Sequence, residues 1–135
     1  MSLVVDASVL VKTLVDEDAS NLAFEQIADW RRIAPELLSL EVASALAKKV
    51  RLVGLSSDVA IRVLDELPRV IGEFVEDATF VAAAFALSIE IGHSIFDCMY
   101  LALALERDCR LITDDRGLLA AVRRSQYADR IVALR

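Results

Sequence analysis

Four carboxylates in the sequence interrupt segments that otherwise have the composition of a protein core: Asp6, Glu41, Asp97 and Asp115. Each has uncharged, mostly apolar residues on at least one side, and Asp6 directly follows the apolar residues 3–5. If the fold brings these side chains together, their charges repel strongly unless a cation lies among them. A metal site is therefore the leading hypothesis for what this chain does.

Each carboxylate also has an ordinary structural explanation. Asp6 could cap the helix that follows the first strand. Asp97 occupies the acidic position of a capping box, and Glu41 could be a solvated helical residue. Asp114 and Asp115 could be turn residues or caps before the last helix. For any one of these residues alone, the structural explanation is favoured over a metal site.

Short apolar strands alternate with helices along the sequence, which is typical of a parallel sheet with helices on both faces. No repeat, linker or second domain is evident, so we expect the 135 residues to form one domain. We predict strands at residues 3–5, 33–34, 71–75, 110–113 and 130–134. We predict helices at residues 9–15, 19–30, 37–53, 59–67, 77–91, 95–106 and 118–124, with an acidic turn at residues 16–18.

The order of these elements favours a common site when the four acids are considered together. In an open α/β sheet, ligands bind outside the carboxyl ends of the strands, near the point where the strand order reverses. Asp6 ends the first strand and Asp115 follows the strand at 110–113, so the two acids converge if those strands are neighbours. Glu41 and Asp97 lie in helices that can reach the same edge. We therefore expect all four side chains to point into one cleft.

A site built only from carboxylates suits Mg²⁺ or Mn²⁺, because these hard cations bind oxygen, retain waters and accept phosphate oxygens. Such a metal can activate water, polarise a phosphate and stabilise a leaving oxygen. Zinc fits poorly, since His93 is the only histidine and Cys98 and Cys109 form no close metal-binding pair. The sequence also has no phosphate-binding P-loop, dinucleotide-binding glycine motif or nucleophile-elbow serine.

The composition limits the classes of partner and location. The formal net charge of −6 argues against tight binding to nucleic acid through its backbone and suits a basic protein partner. A nuclease remains possible because bound metal supplies positive charge to the phosphate. The N-terminus lacks the basic region of a signal peptide, and the apolar stretch at 78–89 is too short to span a bilayer. We expect a soluble, cytoplasmic protein with reduced thiols.

Four segments of the chain carry a family resemblance: VVDAS at residues 4–8, PELLSLEVASAL at 35–46, SIFDCMYLALA at 94–104 and LITDD at 111–115. In order and spacing they resemble the PIN-domain ribonucleases, and most closely the VapC-type toxins of bacterial and archaeal toxin–antitoxin pairs. The resemblance covers nearly the whole chain. It implies a single PIN domain over residues 1–135, with a three-layer α/β/α fold and a central, mostly parallel sheet of about five strands.

The resemblance also implies an activity and its residues. It implies an endoribonuclease that depends on Mg²⁺ or Mn²⁺ and hydrolyses RNA phosphodiester bonds. Asp6, Asp97 and Asp115 would hold the metal, and Glu41 would complete the catalytic set. Ser8 and Thr113 would support the carboxylates through their hydroxyls. Asp114 fills a position that is often uncharged in the family, which leaves open whether it or its neighbour is the main ligand.

Partners follow from the same resemblance. Family members are commonly homodimers held inactive by a cognate, VapB-like antitoxin protein whose segment reaches the active-site cleft. Lys12, Lys48, Lys49 and Arg51 are the candidates for RNA contacts, although a solvated helical face is favoured for the last three. The alternative function is a non-catalytic, PIN-like module that binds a protein partner.

Overall fold

The computed structural model describes residues 1–15 and 20–135, and its centre is a sheet of five parallel strands. The predicted acidic turn at 16–18 lies outside these residues, as does residue 19 at the predicted start of the second helix. The strand order is β3-β2-β1-β4-β5. The strands are β1 (Ser2–Val5), β2 (Arg31–Pro35), β3 (Glu73–Val75), β4 (Arg110–Thr113) and β5 (Ile131–Ala133).

Helices cover the sheet in the three-layer α/β/α arrangement that the sequence predicts. Helix α1 packs against α2 and α3, and α3 packs against α4. Helices α5 and α6 pack against each other, α6 crosses β1, β2 and β4, and α7 lies along β4 and β5. The helices are α1 (Ala7–Val15), α2 (Ser20–Ile27), α3 (Leu37–Val53), α4 (Ser57–Val70), α5 (Val81–Ile91), α6 (Ile95–Glu106) and α7 (Arg116–Arg123), with short 3₁₀ turns at Asp77–Thr79 and Ala128–Arg130.

The core is densest along β1 and α6. In β1 only Ser2 is part-exposed, and residues 3–5 are buried because helices cover both faces of the sheet. Helix α6 is apolar on nearly every face, and its residues 98–104 are all buried. Among the described residues, no single helix is long and apolar enough to cross a membrane; α5 and α6 reach that length and composition only as a pair, and they meet at 111°.

The boundaries of several helices differ from the sequence prediction, including the starts of α1, α5 and α7, and the ends of α2 and α4 have identifiable reasons. Helix α2 ends at Ile27 instead of residue 30, because the guanidinium of Arg32 donates to the carbonyls of Ile27, Ala28 and Trp30 and so satisfies the helix end. Helix α4 continues through Pro68 to Val70 instead of ending at residue 67. A proline in the last turn removes one N–H donor without preventing that turn.

The apolar residues of α2 and α3 are only partly buried. In α2 the buried residues are Ala23 and Ile27, whereas Leu22 and Phe24 are exposed. In α3 the stripe is buried from Leu38 through Val42 to Leu46, but Val53 is exposed at the end of the helix. Helical spacing identifies a common face, but it does not show where along the helix the covering elements end.

The arrangement of the central strands places the site. Strand β1 pairs with β2 on one side and with β4 on the other, so the strand order reverses between β1 and β4. Val5 at the end of β1 is in register with Ile112 near the end of β4. The residues that follow these two strands therefore leave the sheet side by side, as expected for a ligand site at a topological switch point.

Candidate active site

The four predicted carboxylates line one cleft at the carboxyl edge of the sheet. Its volume is about 370 Å³, and Ala7, Ser8, Val11 and Ala45 complete its lining. Each acid comes from a different element: Asp6 follows β1, Glu41 lies in α3, Asp97 lies in the first turn of α6, and Asp115 precedes α7. Residues separated by more than a hundred positions in the sequence thus meet at one edge.

Asp6 is the most deeply buried of the four and is held by two hydroxyls. Ser8 donates to its Oδ2 at 2.8 Å, and Thr113 donates to the same oxygen at 2.6 Å. The backbone N–H of Asp115 in turn donates to Thr113 Oγ1 at 3.0 Å. Burial raises the pKa of Asp6 to about 6, against the opposing effect of the two hydroxyls, and the charges of Asp97 and Asp115 raise it further.

Glu41 is oriented by a tyrosine that the sequence analysis did not assign. The hydroxyl of Tyr100, which is fully buried in α6, donates to Glu41 Oε1 at 2.5 Å. Burial raises the pKa of Glu41, the charges of Asp6, Asp97 and Asp115 add to this effect, and the Tyr100 hydrogen bond opposes it. A tyrosine in an otherwise apolar helix, three residues after Asp97, was the available signal, because a buried tyrosine needs a partner for its hydroxyl.

Asp97 is held by His93, which was considered above only as a zinc ligand. His93 Nε2 and Asp97 Oδ2 lie 2.7 Å apart, and both side chains are about one-fifth exposed. Burial raises the pKa of Asp97, as does the charge of Asp115, and the hydrogen bond from His93 opposes the shift. Ser94 caps α6 by accepting from the N–H of Phe96 at 3.2 Å. His93 lies in the loop just before α6, and its side chain contacts a carboxylate that lines the cleft.

The structure separates the neighbouring acids Asp114 and Asp115. Asp115 lines the cleft, and its Oδ1 accepts from the N–H groups of Gly117 and Leu118, so it caps α7. This cap explains why α7 begins at Arg116 instead of the predicted residue 118. The side chain of Asp114 does not line the cleft and pairs with Lys12 at 3.5 Å.

The donor atoms fit a hard divalent cation in type. In each of the four acids one oxygen accepts a hydrogen bond, and the other oxygen accepts none from the described residues. None of the four forms an ion pair with a lysine or arginine in that part of the chain. Within the same residues, no three acids, histidines or cysteines are already close enough to form a complete metal site. Mg²⁺ requires only one or two direct carboxylates because it retains several waters, so wider spacing is compatible with water-bridged binding.

The predicted RNA-contact residues have different surroundings. Lys48 and Lys49 line a second cavity of about 710 Å³, which shares Glu41 and Asp115 with the acidic cleft. Lys12 faces Asp114 as described, and Arg51 lines neither cavity. The structure therefore brings Lys48 and Lys49 to the mouth of the cleft and leaves Arg51 outside it.

Comparison with known proteins gives consistent results. The chain matches the family described as the PIN domain over residues 3–124. It is 34% identical over 125 residues to ribonuclease VapC3 of Pyrobaculum aerophilum, covering 87% of this chain and 92% of that protein. It is 32% identical over 124 residues to ribonuclease VapC1 of Mycobacterium tuberculosis, covering 87% and 89% of the two chains.

A solved structure has the same fold. The crystal structure of PAE2754 from Pyrobaculum aerophilum superposes with a TM-score of 0.73 and covers 99% of this chain and 90% of that one, at 23% sequence identity. At this identity the likeness speaks for the fold alone. Since the family match spans most of the sequence and the curated relatives align over nearly their full length, the chain belongs to the PIN-domain family, within its VapC-type group.

Proposed function

We propose that this chain is a divalent-metal-dependent endoribonuclease and the toxin of a type II toxin–antitoxin pair. The observation that carries the proposal is the cleft lined by Asp6, Glu41, Asp97 and Asp115, in which clustered carboxylates have no lysine or arginine ion-paired to them within the described residues. Without a cation, such a cluster is a source of repulsion that a purely structural site has no reason to keep. The names of the VapC relatives supply the substrate class, RNA.

In this proposal Asp6, Asp97 and Asp115 hold Mg²⁺ or Mn²⁺, directly or through water. When bound, the cation supplies a Lewis acid for the phosphate oxygens and favours ionisation of water at neutral pH. The chain's own groups fix the carboxylates: Ser8 and Thr113 hold one oxygen of Asp6 and leave the other facing the cleft. Asp114, which pairs with Lys12, is not assigned as a ligand.

Glu41 is proposed to orient the attacking water. Its Oε1 is held by Tyr100, which leaves Oε2 as the oxygen available to accept a hydrogen bond from that water. Lys48 and Lys49 are proposed to contact the RNA backbone at the mouth of the cleft, because they line the cavity that opens beside Glu41. Lys12 and Arg51 stay weaker candidates, since one is paired to Asp114 and the other lies outside both cavities.

The proposal also includes partners and location. We propose that residues 1–135 form a single PIN domain that acts in the cytoplasm and is inhibited by a VapB-like antitoxin. The cavity beside the cleft suits an inhibitory segment, because it combines Lys48 and Lys49 with the exposed apolar side chains of Leu52 and Val53. A homodimer is proposed on the basis of α5, where Val81, Phe85 and Ile89 form an exposed apolar stripe at four-residue spacing.

The proposal is tested by RNA cleavage with purified protein freed of partners. A labelled single-stranded RNA should be cleaved in Mg²⁺ or Mn²⁺ and remain intact with EDTA. Asp6→Asn should abolish cleavage at nearly constant shape, because it removes the charge that would hold the metal. Equal cleavage by Asp6→Asn and the parent protein in magnesium would contradict the site assignment.

Metal binding by itself separates the enzyme from a non-catalytic module that binds a protein partner. Mn²⁺ should raise the melting temperature of the chain, and at a hundred times the dissociation constant the stabilisation is about 2.7 kcal/mol. The stabilisation should disappear in Asp6→Asn. A melt that does not change with Mn²⁺, together with no RNA cleavage, would favour the non-catalytic module.

A further inference from the structure

A second groove lies away from the acidic cleft, against β4 and the edge strand β5. Its volume is about 470 Å³, and its apolar part is formed by side chains of β1, β4 and β5. Its rim carries Trp30, which follows α2, together with Arg110 at the start of β4, Arg123 of α7 and Arg135 beyond β5. Gln26 of α2 fixes Arg135 through hydrogen bonds to its backbone in both directions, at 2.8 and 2.9 Å.

The charge of this groove is opposite to that of the molecule. The chain has a formal net charge of −6, yet among the residues that the structure describes no aspartate or glutamate side chain lines the groove. Arg110 and Arg123 are exposed and form no ion pair within the described residues. Nearby arginines behave differently, since Arg107 pairs with Glu73 and Arg130 pairs with Asp108. The groove therefore has positive charge available for an anionic ligand.

An exposed aromatic ring lies beside these charges. Trp30 is the only tryptophan in the chain, and 38% of it is exposed. It also lines an adjoining cavity of about 650 Å³, and Arg110 is shared by the two cavities. Arginines along a groove with an aromatic side chain that can stack on a base are the combination by which proteins bind single-stranded nucleic acid.

We propose that this groove binds single-stranded RNA, with a base stacked on Trp30 and phosphates held by Arg110 and Arg123. The inference rests on the proposed ribonuclease function and extends it, because it assigns a substrate-binding surface outside the acidic cleft. An acidic peptide would also be attracted by the arginines, but it has no planar base to use the exposed indole.

The position of the groove suits a substrate that also enters the acidic cleft. The groove follows the strands from Arg110, at the amino end of β4, to Ala133, at the carboxyl end of β5. Ala133 is in register with Thr113, whose hydroxyl donates to Asp6. A strand of RNA lying in the groove would thus run toward the edge of the sheet where the carboxylates lie, and the arginines would supply the backbone contacts that the acidic surface lacks.

Intrinsic fluorescence provides a direct test, because all tryptophan emission comes from Trp30. A single-stranded oligouridine RNA is added to the protein in EDTA, where binding is measured without cleavage. We expect the RNA to quench the emission, and we expect Arg110→Gln with Arg123→Gln to weaken the binding measured in this way. Arg62→Gln is the matched control, because Arg62 is exposed on α4, forms no ion pair within the described residues and lines none of these cavities.

The size of the effect separates a phosphate contact from a general loss of charge. Each contacting arginine should contribute about 0.7 to the slope of log affinity against log salt. Removal of one such arginine should therefore weaken the affinity for RNA about fivefold at 0.1 M salt. Trp30→Leu should weaken binding of a fluorescein-labelled RNA by about tenfold, while Trp30→Phe should keep most of the affinity because it retains an aromatic ring. Circular dichroism of each variant checks that it is folded.

The outcomes distinguish this inference from the proposed function. If the parent protein cleaves RNA but the groove variants bind and cleave it like the Arg62→Gln control, the groove assignment is overturned and the ribonuclease proposal stands. If the groove variants bind RNA more weakly while Arg62→Gln binds normally, the assignment is supported. If the parent protein neither binds nor cleaves RNA, both proposals fail.

Discussion

Carboxylates at the two ends of the sheet have opposite surroundings. At the carboxyl edge, burial raises the pKa of Asp6 to about 6, and neighbouring acids raise it further. At the amino end, Glu73 begins β3 and is paired with two arginines, Arg107 at 2.6 Å and Arg31 at 2.8 Å. The hydrogen bond and charge of Arg107, with those of Arg31, lower the pKa of Glu73.

This difference shows how the same chemical group serves two purposes in one fold. The Glu73 cluster is complete, since its cations are part of the chain and tie together the starts of β2 and β3 and the end of α6. In the proposed function the acidic cleft instead takes its cation from outside the chain, and without that cation the burial of its carboxylates is unfavourable. Substitutions at the two ends should therefore have effects of opposite sign on stability and unequal effects on activity.

The largest expected effect is on catalysis, and neighbouring acids provide its control. Asp115→Asn should reduce RNA cleavage by about a thousandfold, or about 4 kcal/mol of barrier, because it removes a charge that lines the cleft. Asp114→Asn should leave cleavage within about threefold of the parent protein, because Asp114 pairs with Lys12 outside the cleft. Both variants are measured on the same labelled RNA in Mn²⁺.

The reverse ranking would contradict the geometry directly. If Asp114→Asn were inactive and Asp115→Asn active, Asp115 would be only the cap of α7. Asparagine is itself a good N-cap, so loss of the cap does not explain an inactive Asp115→Asn variant.

The second effect is on stability and depends on pH. Because the pKa of Asp6 in the folded protein is about 6 against 3.8 for an ordinary aspartate, the folded state binds more protons between these values. Stability of the metal-free protein should therefore fall as the pH rises from about 4 to about 6, and the full penalty, about 3 kcal/mol, should be present at pH 7. Asp6→Asn removes this charge and should be more stable than the parent protein at pH 7 in EDTA.

Urea unfolding of both proteins at pH 4.5 and pH 7 measures this difference. The advantage of Asp6→Asn should shrink or vanish at the lower pH, where Asp6 is already protonated in the folded protein. Comparing the two proteins at each pH removes what Glu41 and Asp97 contribute equally in both, so the remaining difference reports the Asp6 charge together with its effect on the raised pKa of Glu41. If the difference in stability between the two proteins were the same at both pH values, the charge of Asp6 would not be the cause of the pH dependence.

The third effect concerns the orientation of Glu41. Tyr100→Phe removes a buried hydrogen bond to the Glu41 carboxylate and should reduce stability by about 1 to 2 kcal/mol in urea unfolding. It should also raise the pKa of Glu41, because the hydroxyl opposes the effect of burial. Tyr127→Phe is the matched control, since the Tyr127 side chain lies near Glu90 at a more exposed position. Equal losses of stability in the two variants would show that the hydrogen bond from Tyr100 to Glu41 contributes no more than a contact at the more exposed position.

The sequence predicted the architecture because its signals are local and repeated. β-Branched runs marked β1 and β4, and the apolar helices between them required a parallel sheet. The convergence of Asp6 and Asp115 followed from topology alone, since both come directly after neighbouring parallel strands. The family resemblance supplied the substrate class, which no spacing argument could reach.

The residues that hold the carboxylates, Tyr100 and His93, could not be predicted, because sequence spacing does not show where a side chain points once the chain has folded. Tyr100 reaches Glu41 from a helix 59 positions away in sequence, and the local pattern of that helix does not show where its hydroxyl points. His93 lies only four positions before Asp97, but the spacing alone does not show that the loop before α6 brings its Nε2 to within 2.7 Å of Asp97 Oδ2. The arginine-lined groove was missed for a similar reason, since Arg110 and Arg123 come together only when β4 and α7 pack side by side.

The smallest effect tests the amino end of the sheet. Glu73→Gln should lower stability by less than about 1 kcal/mol at pH 7, because the ion pairs with Arg31 and Arg107 are only partly buried and are screened by water.

The pKa of Glu73 is lowered in the folded protein, so its contribution to stability is present above the ordinary glutamate pKa and is lost as the pH falls through the lowered pKa. This pH dependence is opposite to that of Asp6. Urea unfolding in low salt and in 1 M salt should show a smaller loss at high salt. Glu66→Gln should change little in either, because within the described residues Glu66 pairs only with the exposed Arg69, at 3.8 Å. If Glu73→Gln instead stabilised the protein as Asp6→Asn is expected to, the arginines would not be neutralising this carboxylate, and the contrast between the two ends of the sheet would fail.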